Sequence, residues 1–94
     1  MEGGNNMSSK IIEYDLCAPG KNYDELYDAI RSYGVWAHVT KSTWFIKTTD
    51  SCVAVRDKLL KHMDSNDRIF VAELTGSAAW QNVICDNQYL KDNL

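Results

Sequence analysis

Ile11-Ile12-Glu13-Tyr14-Asp15-Leu16-Cys17 alternates apolar and polar side chains. A period of two places Ile12, Tyr14 and Leu16 on one face of a β-strand, with Ile11, Glu13, Asp15 and Cys17 on the other. The run ends in Ala18-Pro19-Gly20-Lys21, where the chain's single proline and a glycine stop the strand. Asp15 therefore stands near a strand end on a face that mixes carboxylates with apolar neighbours.

Downstream, Asn22-Tyr23-Asp24-Glu25 reads as a helix start, with Asn22 as cap and Glu25 returning a hydrogen bond to it. Leu26, Ala29, Ile30 and Tyr33 follow at helical spacing, and Gly34 ends the helix. Residues 35–48 alternate in two runs broken at Lys41-Ser42, which predicts an antiparallel hairpin. Thr49-Asp50-Ser51 caps a second helix whose stripe is Cys52, Val55, Leu59 and Met63, ending at Asp64. After the turn Ser65-Asn66-Asp67, residues 68–75 alternate as a fourth strand.

The order strand, helix, strand, strand, helix, strand predicts an α+β, ferredoxin-like βαββαβ sandwich: a four-stranded antiparallel sheet with two helices on one face and strands one and three central. By the registers read from alternation, Ile12, Tyr14, Leu16, Ala37, Val39, Trp44, Ile46, Phe70, Ala72 and Leu74 face the helices. Ile11, Glu13, Asp15, Phe45, Lys47, Ile69, Val71 and Glu73 fall on the opposite face, with Trp36 and His38 at one edge. That opposite face is too apolar to stay wet, which predicts a homodimer.

Residues 1–10 are expected to be a flexible N-terminal arm, 11–80 the folded domain, and 81–94 a C-terminal extension at a dimer interface; the last segment includes a short β-like run over residues 82–85 that either adds a fifth strand to the parent sheet or crosses to a partner subunit.

Ninety-four residues fit one domain. Ten Lys and Arg against thirteen Asp and Glu give no overall electrostatic drive toward long phosphate backbones, so any nucleic-acid site is local. Cys17, Cys52 and Cys85 lie far apart without a CxxC pair or HxxxH partner, which suits reduced thiols rather than a zinc site. No apolar run approaches the roughly 20 residues of a membrane helix, and the expected location is the cytoplasm, without membrane association.

Several residues suggest ligand binding. Trp36, His38 and Phe45 offer rings on which a base or nucleotide can stack. Lys21, just before helix one, offers a cation beside free amides, and Lys47 is a cation on the open face. Lys58, Lys61 and His62, with Arg56 and Arg68 nearby, read as a solvated face at a helix C-terminus.

The runs I-I-E-Y-D-L-C-A-P-G-K-N-Y-D-E-L-Y-D-A-I, S-T-W-F-I-K-T and D-R-I-F-V-A-E-L-T-G resemble the small bacterial and phage proteins known as SinR-like, which in turn resemble the small CRISPR-associated protein two. The match spans roughly residues 11–80. The resemblance implies a ferredoxin-like homodimer joined through sheet surfaces and C-terminal strands. It also implies that Asp15 faces its symmetry mate, where the pair would hold magnesium for phosphodiester cleavage. Three expectations follow. The first is a homodimeric binding protein for a phosphate-containing ligand (a nucleotide, cyclic nucleotide or short oligonucleotide), which in a phage would sequester a host signalling nucleotide. The second is a magnesium-dependent nuclease with Asp15 as catalytic residue and metal ligand, and the third is a protein-interaction adaptor.

Overall fold

The computed structural model describes residues 7–18 and 20–94. Pro19 and residues 1–6 of the expected N-terminal arm lie outside the described residues. The elements run β1 (Ser8–Asp15), α1 (Asp24–Arg31), β2 (Val35–Thr40), β3 (Thr43–Thr48), α2 (Cys52–Leu60), β4 (Arg68–Glu73) and α3 (Asn87–Asn93). The protein is α+β, and its four strands form one antiparallel sheet in the order β2-β3-β1-β4 with β1 and β3 in the middle.

β1 begins at Ser8, three residues earlier than the alternation indicated, so residues 8–10 are sheet rather than arm. Lys10 is 2% exposed. Its Nζ donates to Glu73 Oε1 at 3.2 Å and to Ser8 Oγ, and Ser8 Oγ donates to the same Glu73 oxygen at 3.0 Å. The ammonium therefore keeps a charged partner at the sheet rim, as a buried cation must. Those two hydrogen bonds and the Lys10 charge hold the Glu73 carboxyl below its ordinary range.

One face of the sheet receives α1 and α2. Ile12, Tyr14, Trp44 and Ile46 meet Leu26, Ile30, Val55 and Leu59, with Ile69 and Val71 packed alongside. Asn22 Oδ1 accepts from the Asp24 amide at 2.8 Å, but α1 begins at Asp24, so Tyr23 rather than Asn22 holds the cap position and no side chain caps the helix. Glu25 does not return to the cap; its Oε1 lies 3.5 Å from His62 Nδ1 on the neighbouring segment. Ser51 caps α2 as its sequence suggests, accepting from the Ala54 amide at 3.1 Å. Gly34 follows α1 at φ 86, a conformation that only glycine adopts at little cost.

Two of the expected registers are inverted. Cross-strand partners share a face, and the pairs Trp36↔Ile46 and His38↔Trp44 put Trp36 and His38 on the helix side, while Ala37↔Phe45 sends Ala37 to the other. The cause is a bulge between His38 and Thr40. Counting back from Thr40↔Thr43 without it would pair Val39 with Trp44, as alternation alone implies; one extra residue flips every side chain beyond it. In β4 the pairs Ile12↔Val71 and Tyr14↔Ile69 turn Ile69 and Val71 toward the helices and Phe70, Ala72 and Leu74 away. Both stripes of that strand are apolar, so alternation carried no sign.

The second face is covered in part by the C-terminal segment. Ala37, Phe45 and Leu90 are buried together, with Val35, Val39, Leu74, Trp80, Val83 and Tyr89 packed around them. The segment adds no fifth strand among the described residues. Residues 82–85 are irregular, Asn82 has φ 57, and one amide, Ile84 N, donates to Val39 O at 2.9 Å. Ser9 Oγ donates to the Asn93 carbonyl at 3.1 Å, tying the end of α3 to β1. No helix among the described residues is long and apolar enough to cross a membrane.

Candidate functional site

The bulge in β2 builds the most distinctive side-chain group of the molecule. With His38 opposite Trp44, the two rings stack at 4.1 Å between centroids and 9° between planes. His38 Nε2 donates to the Lys41 carbonyl at 3.2 Å, which fixes the ring and its proton. Trp36 packs obliquely on Trp44 at 5.6 Å. The last turn of α1 brings Arg31 over both indoles, 5.6 Å from the Trp36 centroid and 5.5 Å from that of Trp44. Trp44 is buried at 1% exposure, whereas Trp36 keeps 36% of its surface open.

On the other side of Trp44, Tyr27 stacks at 6.1 Å and 22°. It forms one wall of a cleft of about 270 Å³ lined by Tyr14, Asp15, Leu16, Tyr27, Lys41 and Ser42. Trp44 Nε1 donates to Tyr14 Oη at 2.9 Å, and the same phenol also interacts with Tyr27. Burial pushes the Tyr14 phenol up, only partly opposed by the Trp44 hydrogen bond, so it remains a donor at neutral pH. Hydroxyl donors and a lysine thus meet at one end of a row of rings that has an arginine at the other. Such a set offers ring faces and cations for stacking and anion contacts, with the Asp15 carboxylate in the same cleft.

Asp15 ends β1 between this cleft and a second groove on the β4 side. Its carboxylate is 64% exposed and 3.8 Å from Arg68 Nη1. The same guanidinium donates to Cys17 Sγ at 3.5 Å. Glu13, two residues back, accepts from Ser42 Oγ at 2.8 Å and from Thr43 Oγ1, so its carboxylate is engaged in the hairpin. Glu13, Asp15, Arg68 and Phe70 line a shallow groove of about 180 Å³. Among the described residues no three His, Cys, Asp or Glu side chains converge as a metal-binding group.

The remaining candidates are dispersed. Phe45 is 1% exposed beneath the C-terminal segment, so its ring is closed to a ligand in this arrangement. Lys47 pairs across the strands with Ser9 and Val35 on that second face. Lys21 is exposed and its Nζ stands 5.5 Å above the Tyr23 ring. Lys58 lies 4.2 Å over the Tyr33 ring and donates to Ser32 Oγ at 2.9 Å, so that cation ties α2 to the end of α1.

Sequence reasoning passed over Arg31, Tyr27 and Lys41. Arg31 and Tyr27 lie four apart on α1 beside the apolar stripe, a signal available from helical spacing; Lys41 looked like a turn residue. It also missed Asp67. The Asp67 carboxylate accepts from the amides of Cys17 at 2.6 Å and Asp64 at 2.7 Å, and from Tyr23 Oη at 2.9 Å. Partial burial would raise its pKa, but these hydrogen bonds and the Lys21 charge outweigh it and hold the carboxyl below its ordinary value. That network pins the β1–α1 loop behind Asp15. No family model matches the sequence, and no solved structure matches the chain.

Proposed function

We propose that the chain is a cytoplasmic, homodimeric, ferredoxin-like protein that binds a phosphate-containing ligand: a nucleotide, cyclic nucleotide or short oligonucleotide. The connectivity βαββαβ with β1 and β3 central supports the ferredoxin-like part. One observation carries the ligand part, the half-open Trp36 ring with Arg31 at 5.6 Å beside the His38–Trp44 stack. A base stacks on Trp36, Arg31 or Lys41 meets phosphate, and the Tyr14 and Tyr27 hydroxyls complete the anion's shell. An acidic chain with local cations suits a small ligand better than a long duplex. In a phage, the same binding would withdraw a signalling nucleotide from its host.

Calorimetric titration with mononucleotides, cyclic dinucleotides and short oligonucleotides, with and without magnesium, tests the reading. Binding that weakens at least about tenfold in Trp36→Ala and in Arg31→Ala, with the ligand recovered intact, is the expected result. Magnesium-dependent cleavage abolished by Asp15→Asn would replace it with the nuclease reading. Failure of every nucleotide to bind would leave protein interaction as the function.

A further inference from the structure

We infer, resting on the proposal that the chain binds a nucleotide, that the pocket between β2 and the C-terminal segment is a guanine site in which the Asp86 carboxylate reads the base. The pocket, of about 320 Å³, is lined by Trp36 and His38 from β2 and by Ile84, Cys85, Asp86 and Tyr89 from the C-terminal segment. That volume lies at the small end of the roughly 300–1,000 Å³ of small-molecule sites, which suits one base. The half-open Trp36 ring is one of its walls, so a base stacked there enters this pocket. Its other wall is held in place: Ile84 N donates to Val39 O at 2.9 Å, and the buried Leu90 anchors the helix that carries Tyr89.

Asp86 is the acidic side chain among these aromatic and apolar walls. It stands at the N-cap position of α3, where an aspartate ordinarily accepts from amides of the first turn, yet it makes no such hydrogen bond. Neither carboxylate oxygen is committed to the helix. Beside it, burial pushes the Cys85 thiol up and the Asp86 charge adds to the effect, so that wall is uncharged at neutral pH.

Hydrogen-bond chemistry selects the base. An ionised carboxylate only accepts. Guanine sets a ring N–H and an amino group side by side on its pairing edge, so it meets the two oxygens with two parallel hydrogen bonds. Adenine and cytosine put a ring acceptor beside their amino group, and uracil puts its ring N–H between two carbonyls; each would turn a lone pair toward the carboxylate. An organic cation also suits a carboxylate among rings. Arg31, however, already lies 5.6 Å from the Trp36 centroid and repels a second cation there. The same two charges orient the nucleotide, with the donor edge of the base at Asp86 and the phosphate toward Arg31.

Calorimetric titration of the full chain with guanosine, inosine and adenosine monophosphates tests the assignment, inosine being guanosine without the amino group. The guanosine nucleotide should bind at least about tenfold more tightly than the other two. In Asp86→Asn the preference should pass to xanthosine monophosphate by at least about tenfold over guanosine monophosphate. The amide donates to the carbonyl that xanthine carries in place of the amino group, while its oxygen still accepts from the ring N–H. A merely structural role for Asp86 would weaken all four nucleotides alike. Asp86 is exposed and caps nothing, so the variant should fold, and the three nucleotides on the unsubstituted chain decide the matter should it not. Equal affinity for those three, or a guanine preference that Asp86→Asn leaves intact, overturns the base assignment and leaves nucleotide binding standing. Failure of every nucleotide removes both, and tetramethylammonium bound in their place, with loss in Asp86→Asn, would give the pocket to an organic cation.

Discussion

The two faces of this sheet are built from the same four strands, yet they fold to different depths. Nine residues are buried together on the helix side, from Ile12 and Trp44 to Leu59. On the other side three are, Ala37, Phe45 and Leu90, while Phe70 stays 64% and Ile84 63% exposed. Both faces offer apolar stripes. The difference lies in what arrives to cover them: two helices with apolar stripes of their own on one side, and on the other an irregular segment ending in a seven-residue helix. A helix that short has little stability of its own, and depends on anchors such as Leu90.

Substitutions that probe the two layers should rank accordingly. Trp44→Ala should cost about 4 kcal/mol, the largest effect, since it empties the space between α1 and the sheet and removes the Tyr14 hydrogen bond. Urea unfolding measures it, and a loss under about 2 kcal/mol would mean that the helix-side core re-forms around the gap. Leu59→Ala should cost about 3 kcal/mol and Leu90→Ala about 2 kcal/mol or less, because the C-terminal segment can shift into the space. Equal losses would break the contrast between the layers.

Asp67→Asn comes next, at about 1–2 kcal/mol, for it turns an amide donor toward other donors in the loop behind Asp15. The folded Asp67 carboxyl is harder to protonate than the unfolded one. Its stabilisation is therefore complete above the unfolded value of about 3.9 and is lost as pH falls through the lower folded value. Acid unfolding of Asp67→Asn should show a shallower decline than that of the parent chain in that window.

The tyrosines act in the opposite direction. Burial, reinforced by the Asp50 carboxylate, pushes Tyr33 up to about 12. Burial and its bond to Asp67 also raise Tyr23. Their stabilising effect is full below the unfolded value of about 10 and is lost as pH rises through the folded values. Tyrosinate absorbance and unfolding should rise together in alkali, and Tyr33→Phe should lessen the loss.

Asp15→Asn should have the smallest effect on stability, within about 0.5 kcal/mol. The carboxylate is exposed, and an ion pair at 3.8 Å in water adds little. A large loss would show that the Arg68 contact holds the strand end.

The α+β class, the order of elements along the chain and both long helices were legible because each rests on local signals: alternation in β1, helical stripes in α1 and α2, the Ser51 cap, and a two-residue break at Lys41-Ser42. Asp15 at an exposed strand end was legible for the same reason. The faces of β2 and β4 were not. An alternating strand with apolar residues on both sides has a period but no sign, and only the Val39 bulge and the pairing of β4 with β1 supply it. The aromatic row followed that error, since Trp36 and His38 reach Trp44 and Arg31 only once β2 is flipped.

By itself, then, the sequence determined what repeats locally: element types, their order, and the residues bearing charge or rings. Tertiary structure alone decided that Phe45 is closed beneath α3, that Lys10 is buried against Glu73, that Asp67 gathers two amides and a phenol from three segments, and that one sheet edge is covered while the other is open. Each of these depends on which distant segments meet, and a contact between residues far apart in the chain leaves no period in the sequence.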